Sequence, residues 1–191
     1  NPFIQNQILF VCSMNISATE VVLVNEQDEP VGTMEKMEAH RQPHLHRAFS
    51  VFLFDSNNRI LLQQRALSKY HSPGLWTNTC CSHPFPGEEV ADAASRRLIE
   101  EMGISTPLQK AFHFTYQAEF DNGLFEHEFD HVFVGHFEGD INANPDEVAS
   151  FCYKSIEQIK ADLDTSAHKY TPWFKIALPL VEKYIAKQAV V

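Results

Sequence analysis

The sequence lacks any apolar run approaching the roughly 20 residues that cross a bilayer as a helix; the longest near its start is Ile8 to Val11. No membrane segment is therefore expected. Basic residues are scarce: Lys plus Arg number 15 against 25 for Asp plus Glu, a formal net charge of −10. Such a surface repels phosphate backbones and anionic lipid, which disfavours nucleic-acid and membrane-surface partners. Cysteine is also sparse, with four in 191 residues, two of them adjacent at Cys80 and Cys81. That pattern fits neither a secreted disulfide framework nor a structural zinc knuckle. With no basic leader before an apolar stretch, the chain is read as cytoplasmic. No repeat, low-complexity tract or Pro/Gly/Ser linker divides it, so a single domain over 20–191 is expected. Residues 1–19 then form an arm or an appended remnant, with Met14 a candidate start. Histidine and phenylalanine, in contrast, are abundant at 10 and 15 residues.

Strand signals alternate with turns over much of the chain. Glu20 to Val24 and Val31 to Thr33 read as a hairpin about a polar turn, and Ala48 to Phe54 with Arg59 to Arg65 as a second. Between Ser72-Pro73-Gly74 and Pro84-Phe85-Pro86-Gly87 lies a segment that reads as an irregular loop, a usual home for chemistry. From Glu88 to Met102 the residues Val90, Ala94, Leu98 and Met102 form a helical stripe, stopped by Gly103. A third hairpin joins Phe112–Phe120 to Phe125–Phe137 across Asp121-Asn122-Gly123. Ser155 to Gln158 carries a capping-box signature, and Thr171-Pro172 opens a last helix that Pro179 should kink. Hairpins around one central helix, closed by C-terminal helices, predict a mixed α/β sandwich of the α+β class.

Four constellations carry chemistry. His40, His44 and His46 are three imidazoles in seven residues, either metal ligands or histidines on a surface loop. Cys81 and His83 read as a metal pair, a thiol with its base, or a ligand beside a catalytic thiol. The alternative is that both cysteines pack as small apolar groups. In a strand, Glu126, Glu128 and Asp130 share one face, continued by Val132 and Val134, as the floor of a polar cavity would be. On the central helix Arg96 and Glu100, and Arg97 and Glu101, are each four apart. They are surface ion pairs, or Glu101 holds Mg²⁺ while Arg97 receives an anion. Arg65, Lys69 and Lys36 add a cationic rim suited to a diphosphate. Together His40, His46, His83, Glu126 and Glu128 make a mixed N/O donor set suited to Mn²⁺, Zn²⁺ or Fe²⁺.

The stretch Ser82 to Ile104 resembles the Nudix box. It keeps Glu88, Arg96, Glu100, Glu101 and Gly103, but has Ser82 where a glycine is usual. Arg97 replaces the glutamate that helps activate hydrolytic water, which counts against diphosphate hydrolysis. With Cys80-Cys81-Ser82-His83-Pro84, Glu126-His127-Glu128, Thr171-Pro172-Trp173-Phe174, His46 to Ser50 and Trp76-Thr77-Asn78, the chain resembles a divergent Nudix branch, the type I isopentenyl-diphosphate delta-isomerases. The resemblance implies a Nudix-like mixed sheet sandwich whose C-terminal helices cover the active site. It implies interconversion of isopentenyl and dimethylallyl diphosphate by proton addition and removal. By position it makes Cys81, Glu128, Tyr116 and Trp173 catalytic, and Lys36, Arg65, Lys69 and Arg97 substrate-binding. It makes His40, His46, His83, Glu126 and Glu128 ligands of Mn²⁺ or Zn²⁺, and Glu101 the ligand of Mg²⁺ carried with the substrate diphosphate. The expected partner is that small molecule alone, bound by a monomer. A nucleotide-cleaving Nudix hydrolase and a non-catalytic metal sensor are the rival readings.

Overall fold

The structure, a computed structural model, describes residues 19–120 and 122–188. Except for Thr19, the expected N-terminal arm lies outside the described residues, as does Asp121 of the expected third turn. Among the described residues fourteen elements follow in order, nine of them strands of one sheet. β1 (Glu20–Val24) and β2 (Pro30–Glu35) form the first expected hairpin. The polar stretch after it is a short helix, α1 (Lys36–Arg41), where no helix was expected.

β3 (His46–Phe54) is the spine of the molecule, buried at every position but Arg47. One edge pairs along its whole length with β8 (Phe125–His136), in parallel register from His46↔Glu128 to Phe54↔His136. Its other edge is shared in turn by β1 at His46, β6 (Cys80–Ser82) at Phe49 to Val51, and β4 (Ile60–Arg65) at Phe54. The second expected hairpin is therefore splayed. β3 and β4 meet at one residue pair, and β4 turns away to pair with β9 (Val148–Lys154) and β5 (Trp76–Thr77).

The segment expected to be an irregular loop fills that splay, with β5 on β4 and β6 on β3. Thr79 sits at the fork. Its N–H donates to Val51 O, its Oγ1 accepts from Leu53 N at 2.9 Å, and the same hydroxyl donates to Leu61 O at 2.7 Å. One side chain thus satisfies groups that would otherwise be buried and unpaired, each at a cost of about 1–3 kcal/mol. This lock carries Cys80 and Cys81 into the centre of the sheet.

Alternation along β3 divides the core into two layers. Phe49, Val51 and Leu53 face α2 (Val90–Met102) through Ala93, Ala94, Leu98 and Met102. Phe52 and Phe54 face α4 (Pro172–Gln188) through Phe174, Ala177, Leu178 and Val181. α2 ends as expected at Gly103, whose φ of 67° is left-handed. β7 (Gln109–Glu119) pairs antiparallel with β8, as the third hairpin predicts. The capping box opens α3 (Ile156–Ser166) through reciprocal bonds between Ser155 and Gln158. α4 runs unbroken across Pro179. Its first turn is tied to the cysteine-bearing segment: Thr171 N–H donates to Trp76 O, and Thr171 Oγ1 donates to Thr77 Oγ1, both at 3.0 Å.

Candidate active site

Alternation on β3 and β8 sets the site. His46 and Ser50 on β3 and Glu126, Glu128 and Asp130 on β8 fall on the face that α4 covers, at the end of the sheet where α1 and the Lys69–Ser72 turn close over it. The imidazoles are aimed by backbone carbonyls. His40 Nδ1 lies 2.6 Å from Lys36 O and His46 Nδ1 lies 2.8 Å from His44 O. A carbonyl only accepts, so each Nδ1 carries the proton and each Nε2 presents a lone pair. His44 contributes through its backbone alone.

Those lone pairs converge. His40, His46, His83 and Glu128 place donor atoms within 4.8 Å of one another. Glu128 Oε1 lies 2.9 Å from His83 Nε2 and 3.5 Å from His46 Nε2. His40 Nε2 and His46 Nε2 are buried without a hydrogen-bond partner. A lone pair facing a carboxylate across 3.5 Å is repulsive with nothing between and attractive around a cation. The donor set therefore fits a divalent metal. Glu126 belongs to a neighbouring group with His40 and His71. His71 was not anticipated from sequence. It is buried, with Nε2 3.4 Å from Glu126 Oε1 and its ring edge-on to Trp173. Burial and the charge of Arg65 push it down to about 2, so it is a neutral imidazole.

Tyr116, opposite Glu128 on β7, joins the carboxylates. Its Oη lies 2.8 Å from Glu126 Oε2 and 2.7 Å from Glu128 Oε2. Burial and the charge of Glu128 push Glu126 well up. Burial would raise Glu128 too, but the His83 contact at 2.9 Å and the facing His46 ring hold it well below the usual carboxylate range. Two neighbouring carboxyls are thus driven to opposite protonation states. Asp130, next on the same face, accepts from Ser50 Oγ at 2.7 Å.

Cys81 stands opposite Ser50 on β6 and keeps part of its surface open to a cavity that Glu128, Tyr116 and Trp173 also line. Burial pushes its thiol up to about 12, so it holds its proton. Cys80 points to the other layer, fully buried beside Leu98 and Met102. The cavity measures about 60 Å³ and is predominantly polar. A larger cavity of about 510 Å³ lies at the far end of β3 by Leu108 and Tyr184, but its lining has no carboxylate, thiol or cation.

The charged end of the smaller cavity holds Lys36, Arg65, Lys69 and Arg97. Arg97 donates to Glu101 and Glu100 at 2.6 Å each and to Glu147 at 3.2 Å. Glu101 also accepts from Gln63 Nε2 at 2.9 Å. Glu147, which sequence reasoning missed, pairs with Lys69 as well. Arg65 donates to the carbonyls of His71 and Ser72, and its guanidinium lies over the Trp173 ring, 5.3 Å from the centroid. Arg96, in contrast, clamps Glu88 in a two-pronged pair at 2.7 and 2.8 Å, which braces the start of α2 away from the cavity. Burial lowers Lys36 and Lys69. Grouped cations with a carboxylate among them suit a metal-bound diphosphate. Among the described residues no helix is long and apolar enough to cross a membrane.

The profile of the NUDIX domain family matches residues 44–174. The chain is 51% identical to the isopentenyl-diphosphate delta-isomerase of Pectobacterium atrosepticum, over 87% of this chain and 93% of that one. It is 50% identical to isopentenyl-diphosphate delta-isomerase 2 of Aromatoleum aromaticum, over 85% and 86%. In fold it is similar to the MutT protein of Methanosarcina mazei, with a TM-score of 0.61 at 17% identity, over 77% of this chain and 96% of that one. The NUDIX match over most of the chain and the half-identical relatives place it in a family: the chain belongs to the isopentenyl-diphosphate delta-isomerases of the Nudix superfamily.

Proposed function

We propose that the chain interconverts isopentenyl and dimethylallyl diphosphate, and that Cys81 and Glu128 are the groups that exchange protons with the alkene. The observation that carries this reading is one cavity that holds a protonated thiol, a phenol-bridged carboxylate pair and four cations. Cys81 comes from β6 and Glu128 from β8, the two opposite neighbours of β3. A planar alkene between them meets one on each side.

In the forward direction the terminal carbon gains a proton, positive charge develops at the tertiary carbon, and the adjacent methylene loses a proton. In reverse the two groups exchange tasks. Tyr116 orients Glu128, and Lys36, Arg65, Lys69 and Arg97 hold the diphosphate. Glu101 is the carboxylate placed to hold Mg²⁺ with that diphosphate, and His40, His46, His83, Glu126 and Glu128 are placed to hold Mn²⁺ or Zn²⁺. Bound there, the cations neutralise phosphate charge and fix the carboxylates in place. Trp173 presents an electron-rich ring whose interaction with a desolvated cation is worth about 2 kcal/mol, or roughly 30-fold in rate. Trp173→Phe is expected to turn over faster than Trp173→Leu by about that factor, and equal rates would remove the ring from the mechanism. Excluding water protects the cation from capture as an alcohol.

The test is incubation with Mg²⁺ and isopentenyl diphosphate in D₂O, followed by NMR. Dimethylallyl diphosphate carrying solvent deuterium is expected. Intact, unexchanged substrate from metal-loaded protein refutes the reading. Phosphate release from a nucleotide panel would then point to hydrolysis, which Arg97 at the usual glutamate position disfavours.

A further inference from the structure

Two carboxylates are paired with the cations at the charged end of the cavity, and they line different hollows. Glu101 lines the cavity itself. Glu147 lines a neighbouring hollow of about 410 Å³, whose walls include the same Lys36, Lys69 and Arg97. Both carboxylates meet one guanidinium nitrogen: Arg97 Nη2 donates to Glu101 Oε1 at 2.6 Å and to Glu147 Oε1 at 3.2 Å. The other oxygen of Glu147 pairs with Lys69. An anion that reaches these cations from the outer hollow meets Glu147 together with them.

The backbone holds Glu147 in that place. Its N–H donates to Asn144 O and its carbonyl accepts from Ala66 N, both at 3.0 Å. Asn144 N–H in turn donates to Glu101 O at 2.8 Å, and Lys69 N–H to Ala66 O at 3.2 Å. The turn that carries Glu147 is thus tied to Glu101 itself and to the turn that carries Lys69. Exposed ion pairs are weak because two free side chains must be ordered to make them. Here the side chains of Lys69, Arg97 and Glu147 are only 23%, 20% and 21% exposed. The cations also keep donors for a ligand: Arg97 Nε is buried without a hydrogen-bond partner, and an ammonium such as that of Lys69 has three N–H groups.

The geometry points to Glu147 as a specificity residue, a fixed negative charge that makes the site take a diphosphate ester as its Mg²⁺ complex and reject the free anion. Four cations, Lys36, Arg65, Lys69 and Arg97, against Glu101 and Glu147 leave a formal charge of 4 − 2 = +2. A free diphosphate ester carries about −3 near neutrality and its Mg²⁺ complex about −1. Coulomb repulsion scales with the product of the charges, so Glu147 opposes the free ester about three times as strongly as the complex. Four cations without that carboxylate would retain free polyanions of many kinds, inorganic diphosphate among them.

The inference rests on reading these cations as the diphosphate site, and the experiment separates the two. Inorganic diphosphate is titrated calorimetrically into the protein in Mg²⁺ buffer and in Mg²⁺-free buffer, with no turnover involved. The wild type is expected to bind the Mg²⁺ complex more tightly than the free anion. Glu147→Gln, which keeps the shape and removes the charge, is expected to bind the free anion about 10-fold more tightly and the complex within about twofold of wild type. Glu147→Asp keeps the charge and is expected to keep the wild-type preference, a rescue that a packing role would not show. A wild type that prefers the free anion overturns the proposal, and that measurement needs no variant to fold. Glu147→Gln with unchanged binding of the free anion overturns it as well, and if the complex alone is weakened Glu147 is instead a direct ligand of Mg²⁺. Weaker binding of both forms shows that the carboxylate only orders Lys69 and Arg97, and likewise overturns the proposal. A wild type that binds neither form removes the diphosphate site itself, and the proposed function with it.

Discussion

Replacing Cys81 by Ala is expected to lower turnover by roughly 10³- to 10⁴-fold, the scale of a lost proton-transfer group, while the melting temperature barely moves. The expectation follows from where the thiol sits. Its backbone is held by pairing with Ser50 and by the neighbouring Thr79 lock, neither of which involves the sulfur. Removing one sulfur from a wall already open to a cavity costs about 1 kcal/mol or less. Cys80→Ala is the matched control. Cys80 is fully buried in the layer against α2, so its truncation is expected to cost stability of about 1 kcal/mol and little activity. Turnover and thermal unfolding of the two variants, measured side by side, separate chemistry from packing. A Cys81→Ala enzyme at near-normal rate removes the thiol from the mechanism.

The larger effect is expected for Glu128→Gln. The amide keeps the shape of the carboxylate and can still meet Tyr116, but it removes the negative charge that His46 and His83 face at 3.5 and 2.9 Å. Turnover is expected to fall by about 10⁴-fold or more, because one substitution withdraws a proton acceptor and a charged metal donor together. Metal analysis of the purified variant distinguishes the two losses. If metal content is restored by excess ion while turnover stays low, the carboxylate acts on the substrate. If restoring the metal restores the rate, Glu128 is a ligand and the proton acceptor lies elsewhere, with Glu126 the next residue to change.

Local patterns were legible wherever the chain makes its own structure. The stripe Ala94, Leu98, Met102 and the stop at Gly103 define α2, and the reciprocal caps of Ser155 and Gln158 open α3, because helices and their caps are written within a few residues. The shared face of Glu126 and Glu128 was legible for the same reason: strand alternation is local, and Tyr116 meets both. What was not legible depended on partners far off in the chain. Ile60 to Arg65 looks like the return strand of a hairpin, yet its neighbours are β5 and β9. A threonine at 79 takes the hydrogen bonds that a continuous hairpin would have used. Trp76–Thr77 and Cys80–Ser82 are too short to show a period and so read as loop. β9 was missed because most of its side chains are exposed or half-buried and show no period-two alternation of burial. His71 was missed because His40 and His46 lie 31 and 25 residues earlier, and only the fold turns the Lys69–Ser72 bend toward them. The same holds for Glu147, which reaches Lys69 and Arg97 from the approach to β9.

The parallel pairing of β3 with β8 also sets how the protein comes into being. Ser50 and Asp130, which bond across these strands, are 80 residues apart in the chain. Closing a loop of that length costs entropy before any contact repays it, so parallel pairing of this kind forms slowly. His46 and Glu128 stand at the first residue pair of that ladder, while His40 and His83 arrive from segments on either side of β3. The donor cluster therefore does not exist in the unfolded chain or in its early hairpins, and a divalent ion has nothing to grip until the ladder has closed. An ion that joins only the finished molecule leaves the folding rate unchanged and retards unfolding instead. Such an ion would act as a late clasp on the parallel ladder of β3 and β8.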